Sequence, residues 1–177
     1  MRWDGFTTME ITPATIEDAP LILQLIRELA EYERLSHEVT ATEQQIRDTI
    51  FGPRPAAEVL LASVEGEPVG FAVFFTTYST FLAKPGIYLE DLFVKPHARG
   101  KGIGRALLTR LAQVALERDC GRIEWAVLNW NEPSIGFYRK LGALPLDEWT
   151  TFRLTGEPLS RLAGNRGEHL IEPYKAT

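Results

Sequence analysis

The feature that most constrains this chain is an apolar strand that runs straight through a glycine-rich turn into an amphipathic helix. Leu92-Phe93-Val94 lead into Lys95-Pro96-His97-Ala98-Arg99-Gly100-Lys101-Gly102-Ile103-Gly104-Arg105, and beyond it Leu107, Leu108, Leu111, Val114 and Ala115 recur at helical spacing. A strand feeding directly into such a helix calls for a sheet with helices laid against it. The first turn of a helix exposes amide hydrogens without intrahelical acceptors, at the positive end of the dipole. Glycines let a diphosphate approach those amides with no Cβ in the way, and Arg99, Lys101 and Arg105 add positive charge. Two familiar phosphate loops fail on residues: a dinucleotide fingerprint needs glycine where Leu107 stands, and no Gly-Lys-Ser/Thr follows. A turn that merely joins two elements is the alternative, and the loop alone leaves both open.

The rest of the chain surrounds this unit with alternating elements. Residues 9–13 read as a strand, and Thr15 with Asp18 as a capping-box variant for a helix running from Ile16 to about Tyr32. A second helix is predicted over 42–51, stopped by Gly52 and Pro53. Strands over 58–64 and 69–76, joined by Glu65-Gly66-Glu67-Pro68, read as a hairpin, and a further strand covers 86–94. A helix over 102–118, a strand over 122–128, a helix from Asn131 to Gly142 and a strand pair over 143–154 complete the order. The fold class is therefore α/β (α+β), a central mixed sheet flanked by helices, with one domain over 9–164, an extension at 1–8 and a polar tail at 165–177.

Composition narrows the partners. At 177 residues, 45% hydrophobic and 24% charged, the chain suits one globular domain. A formal charge of -5 disfavours nucleic acid, whose phosphates need clustered Lys and Arg, and favours a cationic partner. The single cysteine, Cys120, excludes an internal disulfide, and no Cys/His cluster has metal-ligand spacing, so no metal is expected. The amino terminus lacks a signal-like apolar core and the longest apolar run, 69–75, is broken by Gly70, so no membrane contact is expected and the cytoplasm is the expected compartment.

Four blocks in order carry a resemblance. Arg99-Gly100-Lys101-Gly102-Ile103-Gly104 matches the Arg/Gln-x-x-Gly-x-Gly signature of the GNAT family of acetyl-CoA-dependent N-acetyltransferases. Leu25-Ile26-Arg27-Glu28-Leu29-Ala30-Glu31-Tyr32-Glu33, Tyr88-Leu89-Glu90-Asp91-Leu92-Phe93-Val94 and Trp130-Asn131-Glu132-Pro133-Ser134-Ile135-Gly136-Phe137-Tyr138 resemble its diamine acetyltransferase branch, which includes spermidine/spermine and thialysine enzymes. The resemblance spans about residues 9–164 and implies the GNAT fold, whose mixed sheet is mostly antiparallel.

It also implies where acetyl-CoA lies: in a splay between the strand ending at Val94 and the strand at 122–128, the pantetheine pairing with the backbone of Leu92 and Val94 beside Phe93. The diphosphate would be held by Arg99, Gly100, Lys101, Gly102, Ile103, Gly104 and Arg105, and Asn131, Pro133, Ser134 and Tyr138 complete the implied cofactor set. An alkylammonium must lose a proton before it attacks a thioester, which costs roughly 4 kcal/mol at neutral pH. Glu90, in the pair Glu90-Asp91, is the candidate base, directly or through water; a solvated strand carboxylate is the alternative. Tyr138 follows Asn131 by two helical turns, so both can face one side. Its phenol is the candidate acid for the departing thiolate, against a plain aromatic beside Phe137, and Asn131 is a helix cap with or without a contact to the pantetheine arm.

Tyr32, Glu33, Glu90, Trp130 and Glu148 match the substrate side, an acidic and aromatic set suited to an extended cation. Ser79 stands where polyamine-acetylating members carry an acidic residue, and residues 156–164 resemble the thialysine members. A lysine-like amino acid or short diamine is therefore expected, with a polyamine acetyltransferase, a protein N-acetyltransferase or a non-catalytic acyl-CoA sensor as alternatives. A homodimer is expected from the resemblance alone. Cys120 reads as buried and unreactive, His37, His97 and His169 as exposed, and Phe71, Phe74, Phe75, Tyr78 and Phe81 as core more than pocket wall.

Overall fold

The computed structural model describes residues 8–164. Its backbone divides into two compact units, Met1–Leu128 and Asn129–Thr177. The 1–8 extension (apart from Thr8), the 165–177 tail and His169 lie outside the described residues.

In the first unit, five strands form one sheet in the order β1 (Met9–Pro13), β2 (Glu58–Val64), β3 (Glu67–Ser79), β4 (Lys84–Val94) and β5 (Ile123–Trp125). All neighbours run antiparallel except β4 and β5, which are parallel. The sheet is thus mixed and mostly antiparallel, as expected. The β2–β3 hairpin turns on Glu65 and Gly66, both at positive φ (51° and 79°), the geometry that matches strand twist in a two-residue turn. Pro68 therefore lies inside β3, opposite Ser63 and beside a bulge, one place where a missing amide is tolerated.

Helices α1 (Ala19–Glu33), α2 (Glu43–Ile50) and α3 (Ile103–Glu117) flank the sheet. The Asp18 carboxylate accepts from the Thr15 amide at 2.7 Å, and a 3-10 turn over Ile16–Asp18 precedes α1. Thr42 and Gln45 cap α2 reciprocally, with Thr42 amide to Gln45 Oε1 at 2.8 Å and Gln45 amide to Thr42 Oγ1 at 3.3 Å. Ile22, Leu25 and Leu29 of α1 and Ile46 of α2 bury against Val59, Leu61, Phe71, Val73 and Phe93. The opposite face of the sheet, with Leu60, Ala62, Ala72 and Phe74, lies on the side of α3, whose Leu107, Leu111, Val114 and Ala115 are buried.

One irregularity in β4 decides what the two faces carry. Val73 pairs with Asp91 but Phe74 pairs with Leu89, so Glu90 is an extra residue in a bulge. Paired residues share a face, and a one-residue slip exchanges faces. Ile87 and Leu89 therefore share the face of Phe74, whereas Asp91 joins Val73, Phe71 and Phe93 on the α1 face.

In the second unit, α4 (Glu132–Lys140) is capped by Asn131, whose side-chain oxygen accepts from the Ser134 amide at 3.3 Å. The helix ends in a Schellman motif: the Gly142 amide donates to the Arg139 carbonyl at 3.0 Å and the Ala143 amide to the Tyr138 carbonyl at 3.2 Å, with Gly142 at φ +90°. A short helix α5 (Gly156–Leu162) follows. The strand pair expected over 143–154 is a correction. No strand occurs there among the described residues, and Leu144, Leu146, Trp149, Phe152 and Leu154 are exposed. Apolar alternation makes a strand only where a ladder supplies partners, Pro145 removes one donor, and the Trp149 amide turns back to the Leu146 carbonyl instead. The strand expected over 122–128 likewise shortens to β5's three residues.

Candidate active site

The site begins where β4 loses a neighbour. Its parallel ladder with β5 covers Ile87 to Leu89 and stops; Glu90 is the unpaired residue of the bulge, and Asp91, Leu92, Phe93 and Val94 pair with β3 on one side only. Backbone groups at such an edge are available to an extended ligand. The bulge coincides with this release and directs successive side chains apart: Glu90 is exposed, Asp91 half-buried and Phe93 buried.

Asp91 is the most perturbed acid among the described residues. Burial, then the negative charges of Glu90 and of Glu33 in the last turn of α1, push its carboxyl up to about 7. Burial also raises Glu33. Three carboxylates thus share one place, and the field there favours a cation or a held proton.

Below them α1 is tied to the end of β4. Gln24, Glu28 and Tyr32 recur every four residues on one face of α1, with Gln24 Nε2 donating to Glu28 Oε1 at 2.8 Å. Glu28 in turn meets Lys95 Nζ at 3.8 Å. One turn on, the Arg99 guanidinium lies 4.2 Å from the Tyr32 ring centroid and 5.7 Å from that of Phe93, while its Nε donates to the Val94 carbonyl at 2.9 Å. Arg99 thus joins the Tyr32 ring of α1 to the end of β4.

The turn that follows keeps its expected shape. Gly100 and Gly102 have φ of +76° and +84°, and a Cβ at either would meet nothing within 4 Å. Glycine is therefore there for left-handed backbone and open approach rather than for packing. Gly102 caps α3, and the first intrahelical bond runs from the Ala106 amide to the Gly102 carbonyl at 2.9 Å. The amides of Ile103, Gly104 and Arg105 precede it and have no intrahelical acceptor. Lys101 is exposed, and Arg105 lines a cleft of about 430 Å³ with Thr109, Arg110 and, from β1, Ile11. Open amides, positive charge and an unpaired strand edge fit a diphosphate with an extended arm.

In the second unit, Trp130 is exposed just before α4, Asn131 is buried, Pro133 and Ser134 occupy the first turn, and half-buried Tyr138 lies 5.3 Å from Phe137, ring to ring. Glu148 is exposed in the segment that forms no strand.

These features match a known family. The model of the acetyltransferase (GNAT) family covers residues 22–143. The chain belongs to the GNAT acetyltransferase family. It is 43% identical over 158 residues to the thialysine N-epsilon-acetyltransferase of Bos taurus, covering 83% of this chain and 92% of the relative. It is 34% identical over 194 residues to the L-ornithine N5-acetyltransferase NATA1 of Arabidopsis thaliana, covering 84% of this chain and 85% of the relative. Among solved structures, an integron cassette protein from the mobile metagenome of V. cholerae superposes with a TM-score of 0.75 at 28% identity, covering 90% of this chain and 99% of the other. The GNAT chain described here is thus an enzyme of the acyltransferase type.

Ser79 is buried (3% exposed) and its hydroxyl accepts from Arg122 Nη1 at 3.1 Å. Cys120 is half-buried rather than buried. Of the aromatic run, Phe71 and Phe74 are core and Phe75 meets Tyr88 at 5.2 Å, whereas Tyr78 and Phe81 are exposed. His37 and His97 are exposed, as expected. The sequence offers Glu90 as the base; Asp91, which the register places on the α1 face, is the acid whose carboxyl is shifted.

Among the described residues, no helix is long and apolar enough to cross a membrane.

Proposed function

We propose that the chain moves an acetyl group from acetyl-CoA to the primary amine of a small cationic substrate, a lysine-like amino acid or short diamine, within a domain spanning residues 9–164. The observation that carries this reading is the carboxylate group Glu33, Glu90 and Asp91 at the point where β4 leaves β5. Acetyl-CoA, when bound, supplies the activated acyl group. Leu92, Phe93 and Val94 would hold its pantetheine arm, with Val94 keeping one carbonyl lone pair for Arg99. Gly100, Lys101, Gly102, Ile103, Gly104 and Arg105 would hold the diphosphate, and Asn131, Pro133 and Ser134 would support the arm from α4.

The residues then handle charge and protons. Glu33 and Glu90 attract the ammonium, and Tyr32 and Trp130 offer it ring faces, with Glu148 as a further acid. The proton leaves toward the Glu90–Asp91 pair. Moving it from an alkylammonium to an ordinary aspartate is uphill by about 9 kcal/mol, whereas an acceptor near 7 reduces that to about 5 kcal/mol. Asp91 is therefore the better resting place for it, with Glu90 as the exposed relay. Tyr138 would supply, from its phenol, the proton that the cofactor's sulfur needs on leaving as a thiol.

The relatives that act on thialysine and L-ornithine support a substrate with a terminal amine on an amino acid. Ser79 adds to this: with Arg122 donating to its position, no carboxylate is presented there to a distal ammonium. A pairing into homodimers and a cytoplasmic location belong to the same reading.

A thiol-release assay with thialysine, lysine, ornithine, putrescine and spermidine tests it. Saturable release with the first four, and its loss in Tyr138→Phe and Glu90→Gln, is expected. Spermidine leading by tenfold in kcat/KM would overturn the preference. Release with polypeptides only would point to a protein acetyltransferase, and acyl-CoA binding without release to a sensor.

A further inference from the structure

Arg99 sits at the first position of the glycine signature, yet its side chain is committed elsewhere. Its Nε donates to the Val94 carbonyl at 2.9 Å, and its guanidinium carbon lies over the Tyr32 ring at 4.2 Å and over that of buried Phe93 at 5.7 Å. Among the described residues it makes no ion pair. Val94 ends β4, and Gly100 is the next residue after Arg99, so the bond to Val94 closes the turn that leads to the α3 amides. Tyr32 is next to Glu33 in the last turn of α1, which stops at Arg34 in the left-handed conformation with φ 63°. Last turns fray unless packing holds them. The one guanidinium thus orders both the loop for the diphosphate and the turn that carries a carboxylate of the amine slot.

We propose that Arg99 is a positioning residue whose stack on Tyr32 and bond to the Val94 carbonyl couple the glycine turn to the carboxylate slot, so that cofactor and amine each bind better when the other is present. This rests on the reading under Proposed function. A group that must be ordered for both ligands is ordered once, and the second ligand gains what the first has already expended. The coupling is reciprocal by linkage: whatever factor the cofactor confers on the amine, the amine confers on the cofactor. A planar cation on an aromatic ring at a partly exposed place supports a factor of about three to ten. Lys95 with Glu28 makes a second tie between α1 and the end of β4, but at 3.8 Å and without a ring or a backbone bond it holds less firmly.

The test uses wild type, Arg99→Gln, Tyr32→Leu and the double variant. Calorimetry gives the CoA dissociation constant, and steady-state kinetics at saturating acetyl-CoA gives the amine KM. Arg99→Gln is expected to raise the amine KM about threefold to tenfold, more than it lowers kcat, although the guanidinium does not belong to the slot. Tyr32→Leu is expected to weaken CoA by a similar factor although the ring lies outside the glycine turn, and the double variant to bind CoA no worse than the weaker single one. Tyr32→Phe keeps the ring and is expected to retain most of the CoA affinity. The coupling is overturned if Arg99→Gln changes only CoA affinity, if the two losses multiply in the double variant, or if Tyr32→Phe weakens CoA as much as Tyr32→Leu. Should Tyr32→Leu fail to fold, the Arg99→Gln and Tyr32→Phe arms decide alone. A wild-type enzyme that releases no thiol with any amine would instead refute the proposed function, an outcome that leaves the CoA arm of the cycle readable.

Discussion

The two halves of β4 are built from the same strand but do opposite work. From Ile87 to Leu89 it is paired on both sides and buried, and its side chains serve the core. From Glu90 to Val94 it carries two carboxylates, is paired only from Asp91 on and only with β3, and ends at the bond from Arg99. A single inserted residue separates them. The difference teaches that a sheet can open a reactive edge without disturbing its core, provided the bulge that turns the side chains falls where the ladder ends.

The strongest way to break this comparison is to substitute once in each half. Asp91→Asn and Glu90→Gln should lower kcat/KM by about 10² to 10⁴, the range for removing a general base, while the fold persists. Ile87→Ala, at a fully buried position, should lower unfolding free energy by about 2 to 5 kcal/mol in denaturant titration yet leave kcat per folded molecule near normal. Equal kinetic losses in both halves would erase the distinction.

Stability against pH sharpens it further. Asp91 binds its proton more tightly folded than unfolded, with about 7 against 3.8, so its contribution favours folding at low pH and is lost as pH rises through about 7. Between pH 4 and 8 this group alone should cost up to about 4 kcal/mol of folding free energy. Denaturant midpoints should show that slope in wild type and a flatter profile in Asp91→Asn.

Smaller effects test the flanks. Gly102→Ala should cost about 1 to 2 kcal/mol for a left-handed backbone, since no atom obstructs the new Cβ, and it should weaken CoA in calorimetry where a remote surface change does not. Glu58→Gln breaks the bond pair from Arg118, at 2.6 and 2.7 Å, on the face of the sheet that carries Phe74. It should cost below about 1 kcal/mol, with kinetics unchanged.

How far the sequence revealed this depends on which forces act locally. Helix ends were legible because caps are local chemistry: Thr15 with Asp18, Asn131 at the start of α4, and Gly142 at its Schellman stop all sit within a few residues of what they bond. The glycine turn was legible for the same reason. The bulge at Glu90 was not, because it exists only in the register between β3 and β4, a relation between residues some seventeen positions apart. Asp91 escaped notice with it. The strand pair over 143–154 was read from alternation alone, but alternation names a face and supplies no partner edge. Arg99 shows the same limit in a side chain: its charge pointed to phosphate, and only the fold brings the Tyr32 ring of α1 against it.

The most direct test is the pH dependence of kcat/KM from pH 5 to 9 in wild type and Asp91→Asn, measured by thiol release with one amine. The account predicts a change of slope near pH 7 in wild type that is absent from the variant. The same inflection in both proteins would contradict it.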